Sequence, residues 1–241
     1  VIDPKPLWDF DNPKASQEKF EMLAQSADNV VDKAILVTQI ARALGLRGQY
    51  EQGFEILESI ISNSPEVQAF IHIETGRLLR SSGKPDKARP EFEIAAELTK
   101  ANRMEELHID ALHMIALVLP QEEQISFSLK AIEIAKASSD AAARNWVASL
   151  LNNLGMAHSD LGNWSEALKC FEEALAEREA MGDQSRIFIA RYMIGWALRN
   201  LNRNQEALNH MLKLQEDLTL EGKSDEYVAK EIELLKVQLE S

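Results

Sequence analysis

The chain has 241 residues, a formal net charge of −13 and 45% hydrophobic side chains. That apolar content supports a sizeable core and excludes a disordered chain, while 10 Gly and 7 Pro are too few for a turn-rich all-β architecture. An excess of 39 acidic over 26 basic side chains repels a polyphosphate backbone and sets nucleic acid aside as a partner, and the lone Cys170 can build neither an internal disulfide nor a Cys-rich metal site.

Residues 1–12 hold two prolines and two exposed-looking aromatics, Trp8 and Phe10, and read as an extended arm. Asn12 followed by Pro13 joins a helix cap to a proline at the first helical position. Phe20, Met22 and Leu23 give that helix an apolar side. From there the pattern is helical, with breaks at Arg47-Gly48-Gln49, Ser64-Pro65, Gly83-Lys84-Pro85, Leu119-Pro120, Ser139-Asp140, Gly162-Asn163, Gly182-Asp183, Asn202-Arg203 and Gly222-Lys223-Ser224. No segment alternates long enough for a strand. Pro90 falls inside a helix and should bend or delay it. Residues 224–240 form a last amphipathic helix, with Ser224 as cap and Asp225 and Glu226 at its positive end.

Sliding the chain over itself exposes a repeat. Leu151, Leu154, Gly155, His158, Gly162, Trp164, Ala167, Phe171 and Ala174 form the clearest unit. It recurs forwards as Ile194, Gly195, Leu198, Asn202, Asn204, Ala207 and Met211, and backwards as Gly76, Leu79, Gly83, Pro85, Ala88, Phe92 and Ala95. An earlier copy holds Ala41, Leu44, Gly48, Tyr50, Gly53, Leu57 and Pro65, and a degenerate one holds Ile115, Ala116, Pro120 and Ala131. Small residues at Gly155, Gly195, Gly76, Ala41 and Ala116 let the first helix of each pair approach the second closely. Tyr50, Trp164, Phe92 and Phe171 are expected to fill the space between pairs.

This unit resembles the tetratricopeptide pattern W-x2-L-G-x2-Y…A-x3-F, with Leu151 and His158 in place of its two aromatics. Gly48 to Gly83 spans 35 residues and Gly162 to Asn202 spans 40. The longer period is similar to that of light-chain and polarity-adaptor proteins and of bacterial regulators. The resemblance covers about residues 30–220. It implies an all-α, right-handed superhelical solenoid of about five antiparallel helix pairs, with an N-terminal helix and a C-terminal capping helix, forming one domain over residues 13–241.

No catalytic constellation is present. His72, His108, His113, His158 and His210 form no H-E-x-x-H arrangement, no glycine loop cradles phosphate, and the acidic pairs sit on solvated faces. Neither a metal nor a cofactor is expected. No apolar run reaches the roughly 20 residues that span a bilayer, so membrane insertion is not expected and a cytoplasmic location is. The start at Val1 leaves room for a removed leader.

The resemblance implies that a ligand lies along the concave face, lined by the first helix of each pair. Counted from the signature small residue, the groove positions are Arg42, Arg77, Arg80, His113, Asn152, Met156, Tyr192, Trp196 and Arg199, with Trp146 one turn earlier. Arg presents a fork suited to carboxylates, and the aromatics beside Asn152 suit an apolar anchor. The expected role is a non-catalytic protein- or peptide-binding scaffold, with an acidic peptide carrying an apolar anchor as partner. Two other readings stay open: a self-associating module whose groove is empty or filled by the arm, and a ligand-sensing regulator.

Overall fold

The computed structural model describes residues 1–182 and 184–240, which contain helices and no strand. Asp183, in the expected break after Gly182, lies outside the described residues. The chain divides into two compact units, Val1–Pro120 and Gln121–Ser241.

In the first unit a 3-10 turn at Lys5–Leu7 gives the arm local order. It precedes α1 (Pro13–Ser26), α2 (Val30–Leu46), α3 (Tyr50–Glu58), α4 (Pro65–Ser81), α5 (Pro85–Ala101) and α6 (Glu105–Ala116). Asn12 caps α1 as its sequence predicts, its side chain accepting from the Ala15 amide. Asn29 caps α2 by accepting from the Val31 and Asp32 amides. Helices α2 and α3, and α4 and α5, pack as pairs; α2 also lies against α4, and α6 against both α5 and α4. The first helices α2, α4 and α6 therefore form one row.

The second unit holds α7 (Gln121–Ala137), the one-turn α8 (Ala141–Arg144), α9 (Val147–Asp160), α10 (Trp164–Met181), α11 (Gln184–Asn200), α12 (Asn204–Leu220) and α13 (Glu226–Glu240). Here α9 pairs with α10 and α11 with α12, α7 packs on α9, and α13 packs on α12 and touches α11. Each unit is thus a stack of helix pairs.

The stacking depends on missing side chains. A Cβ on Gly76 would lie 2.4 Å from a ring carbon of Phe92, one on Gly155 2.4 Å from Phe171, and one on Gly195 2.5 Å from Met211 Cε. The same sequence offset separates glycine from filler in all three pairs. Phe92 and Phe171 therefore fill the inside of a pair, where the repeat pattern had suggested the space between pairs. Both are completely buried, worth about 1.5–3 kcal/mol each. Between pairs, Leu78 occupies the room left by Gly45 and Gly53, and Trp164 of α10 meets Trp196 of α11 edge-on at 4.7 Å.

Left-handed residues end the helices. Gly83 has φ 80°, and Asn202 takes the equivalent turn in a later repeat with φ 60°. Arg103, with φ 56°, ends α5 without a glycine, so the break between α5 and α6 carries no sequence mark. Pro90 leaves α5 unbroken. It and Asp86, whose carbonyl loses its donor, are both exposed, so water can serve that carbonyl.

Candidate functional site

The row of first helices in the first unit carries a buried ionic cluster. Glu74 of α4 is fully buried and Asp110 of α6 is 5% exposed. Arg77 lies between them. Its guanidinium donates to Glu74 and forks onto Asp110, Nη2 reaching the two carboxylate oxygens at 2.6 and 2.8 Å. Arg42 of α2 approaches Glu74 at 3.9 Å. Two cations meet two carboxylates across three helices. Burial works against the charge on Arg77, but Asp110 and Glu74 more than offset it and raise its pKa. Burial likewise opposes the Asp110 carboxylate, yet Arg77 and then Arg42 hold its pKa below the usual range. Arg42 is pushed down to about 10 by burial and by Arg77, which leaves it charged at neutral pH.

His113, one turn along α6, is pushed down to about 4 by burial, which outweighs the pull of Asp110. It is therefore a neutral imidazole. Arg80 is exposed beside this cluster. Of the four candidates in this unit, Arg42, Arg77 and His113 converge on the cluster and Arg80 lies at its edge. Removing Arg77 alone would leave two buried carboxylates short of a counter-charge, at a cost of about 3–5 kcal/mol.

In the second unit the first helices of the pairs are α9 and α11, and α13 touches α11. Trp146 precedes the first residue of α9, and Asn152 and Met156 follow along the helix, all partly buried. Tyr192 and Trp196 of α11 pack on the core beside Met156 and Trp164. Arg199 reaches across to Glu231 of α13, which is 4% exposed. Tyr192 faces Tyr227 of α13 edge-on at 6.5 Å. Helix α13 thus stands where the first helix of a further pair would stand, contributing a buried partner to α11.

Three contributors lay outside the sequence candidates. Glu74 and Asp110 were missed because the groove count selects favourable ligand positions and skips their buried counter-ions. Glu231 sits on the terminal helix, which the repeat pattern does not reach. All three carry the same signal, an acidic residue on a face otherwise destined for burial.

A groove of about 400 Å³ lies at the end of α12 and the start of α13, lined by Leu218, Leu220, Lys223 and Val228 among others. None of the candidate residues lines it. Among the described residues no group of acidic, His or Cys side chains could hold a metal ion, and no helix is long and apolar enough to cross a membrane.

Residues 146–216 match the family model of the tetratricopeptide repeat. No curated protein matches the chain by sequence. Among solved structures, BtubC (BKLC) from P. vanneervenii is similar, with 17% identity, 93% of this chain and 95% of that chain covered, and a TM-score of 0.60. A putative kinesin light chain with nearly identical tetratricopeptide-like repeats from Podosopora anserina has 15% identity, covers 82% of this chain and 100% of its own, and scores 0.61. A Rap protein complexed with Competence and Sporulation Factor has 16% identity, covers 90% and 61%, and scores 0.66. At these identities the structures speak for the fold. Residues 146–216 therefore carry the tetratricopeptide repeat by sequence, and the glycine-nested helix pairs and the similar structures extend the same helical-repeat fold to both units.

Proposed function

We propose that the chain is a non-catalytic scaffold that binds protein or peptide segments along the inner rows α2–α4–α6 and α9–α11–α13. One observation carries this reading. The inner row of the first unit already holds an irregular peptide segment, residues 1–10 of the chain itself, through side chains of α2 and α6. A surface that seats one such segment has the groups to seat another. The Rap protein of like fold, solved with Competence and Sporulation Factor bound, is in keeping with this use.

The test must spare the buried ion pairs, since breaking them would report unfolding. Arg80→Glu, Asn152→Ala and Tyr192→Ala change inner-row residues outside those pairs. Lys87→Glu makes the same charge change as Arg80→Glu at an exposed site on α5. Affinity capture followed by mass spectrometry should show proteins retained by wild type and the Lys87 variant and lost by the triple variant. Identical retention by a folded triple variant would count against the reading.

Self-association is the second reading, supported by apolar side chains that α13 exposes: Tyr227 at 62%, Val237 at 61% and Leu234 at 50%. Light scattering separates it from the first. A concentration-dependent dimer abolished by Leu234→Glu would support it, and a monomer at all concentrations would remove it.

A further inference from the structure

The first ten residues take no part in helix pairing, yet they are tied down along their length. The Ile2 amide donates to Asp32 Oδ1 of α2 at 2.7 Å. Pro4 is buried. The Lys5 ammonium pairs with Glu106 of α6. Leu7 and Trp8 pack on Phe20, Leu36 and Ile40, and Trp8 Nε1 donates to Gln39 Oε1 at 3.0 Å. The Trp8 and Phe10 rings stack at 4.9 Å, and the Arg42 guanidinium lies 5.1 Å from the first and 5.3 Å from the second.

These are the contacts of a bound peptide: a backbone amide, a cation and an indole, each met by a side chain of the inner row. The charges that meet the arm's backbone amide and ammonium are Asp32 and Glu106, while Arg42 meets its rings. Two arginines of this row, Arg42 and Arg77, are already matched by Glu74 and Asp110.

We propose that residues 1–10 are a built-in occupant of the inner row of the first unit, and that the same row takes in trans a segment of another protein with the arm's chemistry. That segment is irregular and proline-containing, with a basic residue for Glu106 and, three positions on, a tryptophan for Gln39 and Arg42. The proposal rests on reading the inner rows as peptide-binding, and it gives the partner a basic-aromatic character in place of the acidic one that the recurring arginines suggested. A tethered arm acts at an effective concentration on the order of millimolar. A partner therefore meets only the fraction of molecules whose arm is open, and its apparent affinity falls by that fraction.

The probe is a fluorescent synthetic peptide with the sequence of residues 1–12, followed by anisotropy against the full chain. Wild type should bind it weakly, because the arm competes. Trp8→Ala removes the anchor and should bind it roughly tenfold or more tightly. Should that variant fail to fold, Lys5→Glu decides, since Lys5 is half-exposed and outside the core. It sets like charges at Glu106 and should strengthen peptide binding by roughly three- to fivefold. Adding Glu106→Lys to Lys5→Glu restores an opposite pair and should weaken binding of the Lys5-bearing peptide again.

A Lys5→Glu chain with unchanged helical signal and melting temperature that binds the peptide no better than wild type overturns the proposal. So does a wild-type dimer that dissociates on Trp8→Ala, which would place the arm on a second copy. If the capture experiment finds an inner-row partner while the peptide binds to neither variant, only this proposal falls.

Discussion

His113, a candidate groove residue, also sets a pH limit on the fold. Its imidazole is held neutral by burial, with a pKa of about 4, against about 6.5 in an unfolded chain. The unfolded state therefore binds the proton first as pH falls. Stability is fully present above about pH 6.5 and is lost progressively as pH drops through about 4. The full effect is on the order of 3 kcal/mol. His108 and His210 are also lowered, in each case mainly by burial, and act in the same direction. Urea unfolding at pH 7 and at pH 4.5 should show the loss, and His113→Leu should flatten the difference. Equal slopes for wild type and variant would show that His113 does not carry it. The spacing of His113 put it on the inner row, but its burial against Asp110 depends on contacts between α4 and α6 that no local pattern encodes.

At the scale of the helix, the repeat was legible because its signal is steric. Gly76, Gly155 and Gly195 stand where a Cβ would overlap Phe92, Phe171 and Met211. Gly155→Ala should therefore destabilise the second unit by about 1–3 kcal/mol, read as a lower urea midpoint with little change in slope. An unchanged midpoint would mean that Phe171 can move aside. The turn after α5 was illegible for the opposite reason. It is made by Arg103 in a left-handed conformation, a position that composition marks only when glycine fills it. Arg103→Gly removes the strain of that conformation and, after the added chain entropy, should stabilise by about 0.5–1 kcal/mol. A fall in melting temperature would mean that the Arg103 side chain contributes more than its strain subtracts. The arm was only half legible: Pro4, Pro6, Trp8 and Phe10 marked an irregular segment, but the helices that receive it are distant in sequence.

Across the whole molecule, the even run of helix signals suggested one continuous domain over residues 13–241, and the structure divides into two compact units, Val1–Pro120 and Gln121–Ser241. The break at Leu119-Pro120 looks from sequence like any other turn, because a repeat protein uses the same short connection inside and between its parts. Each unit nevertheless owns a set of fully buried large side chains. The first has Phe20, Leu36, Ile73, Phe92 and Ile109, and the second has Phe171, Met211, Leu214 and Leu235. Because the stability of stacked repeats is mostly a sum of each repeat and its neighbours, each set should sustain its own fold. Residues 1–120 and residues 121–241, produced separately, should each give a helical circular dichroism spectrum and a cooperative urea transition. The first should retain the low-pH sensitivity assigned to His113. A disordered spectrum from either half would mean that its core is incomplete without the other.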